Sequence, residues 1–210
     1  MSLFSPFFSV CERTGGGLLA EPLNLLASAA FFIAAWLLWR DYRRSHAAFD
    51  EERLTLIGLL ALMGIGSTAF HAEANRLTLY ADTAAVSLFM SFACYITLRR
   101  ALGLSEHLSL LLLAGVGAAA TLTNLVPAPY RLNDSVGYLP VLAGLTIAAW
   151  RMRRRGDATA GGMWIAAGLL ATGLALRSAD IAVCPSLAIG TFFLWRLCEA
   201  VSFYCLVWTI

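Results

Sequence analysis

The chain has 210 residues, of which 60% are hydrophobic and 13% charged, and its formal net charge is +2. A soluble domain carries roughly 25% charged residues, so a water-soluble globular fold is excluded: too little polar surface exists to cover this much apolar content. The small net charge, with arginines gathered in short loops, argues against a nucleic-acid surface.

The apolar content falls into seven stretches long enough to cross a hydrocarbon core of ~30 Å. In chain order they are Leu19–Trp39, Leu54–His71, Leu77–Leu98, Leu108–Val126, Val136–Trp150, Gly161–Leu176 and Leu187–Ile210. The fifth and sixth are the shortest. Polar runs punctuate them: RDYRRSHAAFDEER, AEANR, RRALGLSEH, PAPYRLND, RMRRRGDATA and RSADIAVCPS. Backbone groups in lipid must bond within their own segment. The expectation is therefore an all-α integral membrane bundle of seven transmembrane helices, a single domain over residues 1–210. The N-terminal run MSLFSPFFSVCER lacks a basic region before a long apolar core, so no cleaved signal peptide is expected.

All 15 basic residues are arginine. Ten of them (Arg40, Arg43, Arg44, Arg53, Arg99, Arg100, Arg151, Arg153, Arg154 and Arg155) lie in or beside the first, third and fifth loops. Arg13, Arg76, Arg131 and Arg177 lie on the other side, and Arg196 lies inside the last span. This bias predicts a non-cytoplasmic N-terminus and a cytoplasmic C-terminus. The alanine-rich, lysine-free composition suits a bacterial inner membrane. Lacking lysine, the chain cannot form a retinal Schiff base. It also shows no inverted repeat of the kind transporters carry.

Of five cysteines, Cys94, Cys198 and Cys205 fall within spans and read as small packing residues. Cys11 and Cys184 both fall in non-cytoplasmic segments, where oxidation is permitted. Their pairing would tie the N-terminal segment to the start of the last helix. Geometry decides disulfides, and the sequence leaves that pairing open.

An ionisable residue inside a span costs several kcal/mol and marks a functional site by default. Glu21 stands at the start of the first span, His71 at the end of the second and Asp82 early in the third; Arg196 and Glu199 lie in the seventh. With alternating helix directions all five belong to the same half of the membrane. Each also has a plainer reading. His71 can reach the interface, Ser67 in GIGSTAFH can be a packing residue, and Asp82 can simply pair with Arg196.

Three ordered motifs resemble the alkaline ceramidases, especially their bacterial relatives. They are CERTGGGLLAEPLN at 11–24, GIGSTAFH at 64–71 followed by Asp82, and CPSLAIGTFFLWRLCEA at 184–200. The resemblance implies a seven-helix intramembrane hydrolase cleaving ceramide to sphingosine and a fatty acid. Its zinc would be held by one histidine on helix 2 and two on helix 7. On this chain the implied roles fall on His71 as zinc ligand, Asp82 as base and Ser67 as oxyanion partner.

The pattern then departs. Phe192 and Arg196 occupy the two helix-7 ligand positions; phenylalanine offers no donor atom and arginine keeps its proton. His46 and His107 lie in loops on the wrong side. A catalytic zinc ordinarily takes three protein ligands, so this chain is expected to be impaired in zinc binding and catalysis. Arg196 would instead place a fixed cation beside Asp82, with Glu199 sharing it. A remodelled site of His71, Asp82 and Glu199 is the competing arrangement. The resemblance also implies a calcium site, to which Glu12 and Glu21 correspond, whereas Ser9, Val10 and Thr14 stand where further oxygen ligands would be needed. Two functions stay open: a ceramidase-like lipid amide hydrolase homologue acting on a ceramide-like lipid, or a metal-free lipid-binding or receptor-like protein on the same fold.

Overall fold

A computed structural model of the chain describes residues 3–5, 10–45 and 50–210, with Pro129 described by its backbone alone. The described residues form seven α-helices and no strand: α1 Pro22–Arg44, α2 Glu51–Ala72, α3 Arg76–Ile96, α4 Glu106–Leu122, α5 Leu139–Arg155, α6 Ala160–Val183 and α7 Phe192–Thr209. Six of them are long and apolar enough to cross a membrane, α3 together with the π-helical turn Thr97–Ala101 that extends it. The exception is α5. It has 17 residues and closes on Arg151, Arg153, Arg154 and Arg155, which shorten its apolar run.

Local chemistry sets the helix ends. Asp50 accepts a hydrogen bond from Arg53 N at 3.1 Å and starts α2. Asn75 and Thr78 form a reciprocal capping box at the start of α3. Gly156, with φ +77°, ends α5 in the left-handed region.

Three boundaries differ notably from the sequence expectation. The sixth helix is not short: it runs on through Arg177 and Asp180 to Val183, because both side chains find partners inside the bundle. The last helix starts at Phe192 rather than Leu187, and Glu21 precedes the first helix rather than lying inside it.

Neighbours along the chain pack side by side, and α7 closes the bundle against α6, α1 and α2. Phe31, Leu60, Met63, Phe89, Trp195 and Phe203 fill the centre and are fully buried. The outer faces remain apolar, with Leu26, Ile33, Leu88, Leu111 and Leu197 exposed, as lipid-facing helices require. At the arginine-rich end, Arg40, Arg43 and Arg154 lie over Trp36, Trp39 and Trp150, each one turn away. Such pairs anchor helices at an interface. These features define an integral membrane protein by helix length and composition.

Helix α4 is the loosest member, with Ser109 its one buried residue. Between it and α3, α5 and α7 lies a cavity of about 610 Å³.

Candidate functional site

The site forms at the end of the bundle that carries the N-terminal segment. Small residues allow the helices to meet there. A Cβ at Gly66 would lie 2.9 Å from Cα of Asp82, and one at Gly64 would lie 2.8 Å from the Phe32 ring. The glycines of GIGSTAFH thus bring α2 against both α3 and α1, carrying Ser67 and His71 into the centre.

His71 is fully buried and held from both sides. Its Nδ1 lies 2.5 Å from Glu21 Oε2, and its Nε2 accepts from Arg196 Nε at 3.3 Å. The neutral tautomer protonated on Nδ1 satisfies both contacts. Arg13 reaches the same point, its Nε donating to Glu21 Oε1 and its Nη2 to the His71 carbonyl at 2.9 Å. Arg196 then divides its remaining donors. Nη2 donates to Asp82 Oδ2 at 2.6 Å and Nη1 to Glu199 Oε2 at 3.1 Å. The Phe192 ring packs edge-on to His71, at 5.8 Å between centroids.

All five ionisable residues singled out from the spans therefore meet in one buried network, with Arg13 added. Ser67 stands beside it, its Oγ 2.8 Å from Ser28 Oγ, so its hydroxyl is engaged with α1.

This donor set does not fit a divalent metal. A carboxylate on Nδ1 is the usual device for aiming the other ring nitrogen of a histidine at a metal. Here that nitrogen meets a guanidinium N–H, and a second cation would be repelled by it. Among the described residues no group of three or more His, Cys, Asp or Glu is arranged to hold a metal ion.

The two acids matched to a calcium site are also occupied. Glu12 accepts from Leu23 N at 2.7 Å, Asn24 N at 3.0 Å and Asn24 Nδ2 at 2.8 Å. It therefore caps the start of α1, where a negative charge is favoured. Glu21 serves Arg13 and His71. His107 is exposed in the first turn of α4, and His46 and Ser9 lie outside the described residues.

Cys11 and Cys184 are joined by a disulfide, with their Cα atoms 5.5 Å apart. Asp180, which sequence reasoning placed in a loop, organises this junction. Its Oδ1 accepts from Thr191 N at 2.7 Å and Phe192 N at 2.9 Å, and its Oδ2 accepts from Cys11 N at 3.0 Å. One buried carboxylate thus starts α7 and fixes the N-terminal segment. Gly190, with φ +62°, is required beside it: a Cβ there would collide with Asp180 Oδ1 and come within 2.6 Å of Cys11 Cβ. Nothing local in the sequence marks Asp180 as the cap of a distant helix.

Asp82 and Arg196 also line the 610 Å³ cavity, together with Tyr138, Arg177 and Phe192 at this polar end. Asp82 Oδ1 is buried and has no hydrogen-bond partner among the described residues. Away from that end the walls are largely apolar, with Val86, Met90, Leu113 and Val116 among them.

Comparison with models of known protein families and with curated proteins finds no match to this chain.

Proposed function

We propose that this protein is a metal-free binder of a membrane amphiphile, on a scaffold that resembles the alkaline ceramidases. The observation that carries the reading is the position of Arg196. Its guanidinium stands against Nε2 of His71 and pairs with Asp82 at the inner wall of the cavity. A fixed cation there stabilises the buried carboxylates without a metal and leaves no activated water for amide hydrolysis. The cavity has the size of a small-molecule site and joins a polar end to an apolar trough. That is the shape of a lipid with a head and a chain. Asp82 Oδ1, lacking a donor among the described residues, favours a head that donates a hydrogen bond, such as the hydroxyl or amide N–H of a ceramide-like lipid.

The orientation proposed is N-terminus outside and C-terminus in the cytoplasm, in a bacterial inner membrane. The arginine bias supports it, and so does a disulfide at the N-terminal end, which belongs on the oxidising side.

The test is purification in a mild nonionic detergent, followed by metal analysis, native mass spectrometry and a ceramide turnover assay. A chain carrying substoichiometric zinc, a retained lipid and no turnover is expected. Equimolar zinc with turnover would overturn the reading in favour of a hydrolase.

A further inference from the structure

The cavity contains a second guanidinium with a different status from the first. Arg196 is committed on all three of its nitrogens. Arg177, on α6, is committed on one: its Nε donates to Asn133 O at 2.8 Å. Among the described residues no carboxylate pairs with it, and neither terminal nitrogen donates to a protein acceptor. The acids of the cavity lining are engaged elsewhere, Asp82 with Arg196 and Asp134 with Arg131.

The side chain is nevertheless held firmly. The guanidinium carbon lies 5.3 Å from the Phe192 ring, 5.5 Å from Tyr138 and 5.7 Å from Trp195. Aromatic faces stabilise a cation without consuming its N–H donors. Asn133 locks the residue further, its Nδ2 donating to the Arg177 carbonyl at 3.0 Å. Asn133 lies in the middle of three consecutive residues, Leu132, Asn133 and Asp134, with φ between 52° and 59°. Such backbone is costly for a non-glycine residue and persists where the surroundings hold it. A topology arginine would reach toward the interface along the helix surface. Arg177 is clamped inward instead, with its terminal nitrogens left for the cavity.

We infer that Arg177 is an anion receptor, and that the amphiphile it takes carries a carboxylate or phosphate in its head. The inference rests on the proposed lipid-binding function and adds an anionic group at Arg177 to the hydrogen-bond donor that Asp82 Oδ1 accepts on the same polar end. A planar fork held in place binds such oxygens bidentately. The trough behind it suits one alkyl chain. Its lining on α3 runs from Leu79 to Cys94, a length of about 22 Å at the helical rise.

Binding of three probes of equal chain length to the purified protein tests this, at a pH where the acid is ionised. The probes are hexadecanoate, hexadecyl phosphate and hexadecanol. Hexadecanoate and hexadecyl phosphate are each expected to bind at least roughly tenfold more tightly than hexadecanol. Arg177→Gln is expected to abolish that preference while hexadecanol binding persists. Arg177→Lys, which keeps the charge but loses the fork, should retain a weakened preference. Inorganic phosphate is the remaining arm. Competition by it at concentrations comparable to the amphiphiles supports a receptor for soluble anions, and competition by the amphiphiles alone supports a lipid head.

Equal binding of all three probes would overturn the anion receptor and leave the lipid-binding function standing. A preference unchanged in Arg177→Gln would overturn it as well. Absence of binding by every probe, hexadecanol included, would overturn both. The wild-type ratio decides the first point even where a variant fails to fold.

Discussion

Arg196 Nε lies 3.3 Å from Nε2 of His71. The ring nitrogen turned toward the centre of the bundle therefore faces a guanidinium, while Glu21 holds the opposite nitrogen. This relationship links the network to the cavity, because the same guanidinium binds Asp82, whose second oxygen has no partner among the described residues. Burial of charge of this kind is tolerated only with compensation. Arg196 compensates both Asp82 and Glu199, which makes it the keystone of the polar end.

Removing the cation alone should therefore be costly. Arg196→Met leaves Asp82 and Glu199 buried without a cation, and a loss of about 3–5 kcal/mol is expected. The triple variant Arg196→Met, Asp82→Asn, Glu199→Gln should recover most of it. Unfolding in detergent measures both. A single variant as stable as the triple would show that the ion cluster contributes nothing.

The disulfide predicts a thiol count. Cys94, Cys198 and Cys205 are free and Cys11 is paired with Cys184. Alkylation of the denatured, unreduced chain should mark three thiols, and alkylation after reduction should mark five. Cys11→Ser should lower stability by about 2–4 kcal/mol, because the bond closes a long loop. Five labelled thiols without reductant would remove the tether.

Much of this was legible in the sequence, for identifiable reasons. Apolar run length gave the helices, since little else can occupy lipid. The ionisable residues stood out because each is anomalous in a span, and the alternating direction of the helices put Glu21, His71, Asp82, Arg196 and Glu199 at one depth. Asp180 and Arg177 read as loop residues in the sequence because charge marks the end of an apolar span, whereas α6 continues to Val183. A buried acid that caps a distant helix looks, in sequence, like a loop residue. Arg13 reads in the sequence as a topology residue alone, and its contact with the His71 carbonyl spans 58 positions. No local periodicity carries such a contact. Glu12 corresponds by position to a calcium ligand in the resemblance, and in the fold its carboxylate accepts from the first turn of α1.

Reporter fusions test the orientation. One placed after Ile210 is expected to read cytoplasmic and one before Met1 external. Two reporters on one side would mean an even number of crossings, and α5, the one described helix not long and apolar enough by length and composition, would be the first candidate to drop as a span.

At the arginine-rich end of the bundle, stability should depend on pH through Asp50. Hydrogen bonding from Arg100 holds the Asp50 carboxyl down to about 2, below its ordinary 3.8. A depressed folded value means the stabilisation is fully present above the unfolded value and is lost as pH falls toward the folded one. The stability gap between wild type and Asp50→Asn should hold steady above about pH 4 and close as the pH approaches 2. Arg100 also meets Glu52 at 2.5 Å, so the variant retains part of this tie. A gap independent of pH would show that the Asp50 contact is not ionic.

The strongest test of the metal-free reading is to rebuild the metal. Phe192 and Arg196 are one helical turn apart on α7, and both contact His71: Phe192 through its ring at 5.8 Å and Arg196 through Nε at 3.3 Å. Histidines at those two positions would share the face that His71 approaches. Glu21 already holds Nδ1 of His71, which is how a zinc-ligating histidine is usually oriented. The charge removed with Arg196 would be restored by the ion beside Asp82 and Glu199. Phe192→His with Arg196→His is therefore expected to bind close to one zinc per chain, while the unmodified protein binds little. Arg196→His alone supplies two histidines and should bind weakly. Elemental analysis after dialysis against chelator-treated buffer, with ceramide turnover measured on the same samples, provides the comparison. A double variant that folds but holds no zinc would mean that the α7 face is not directed at His71 closely enough for a shared ion.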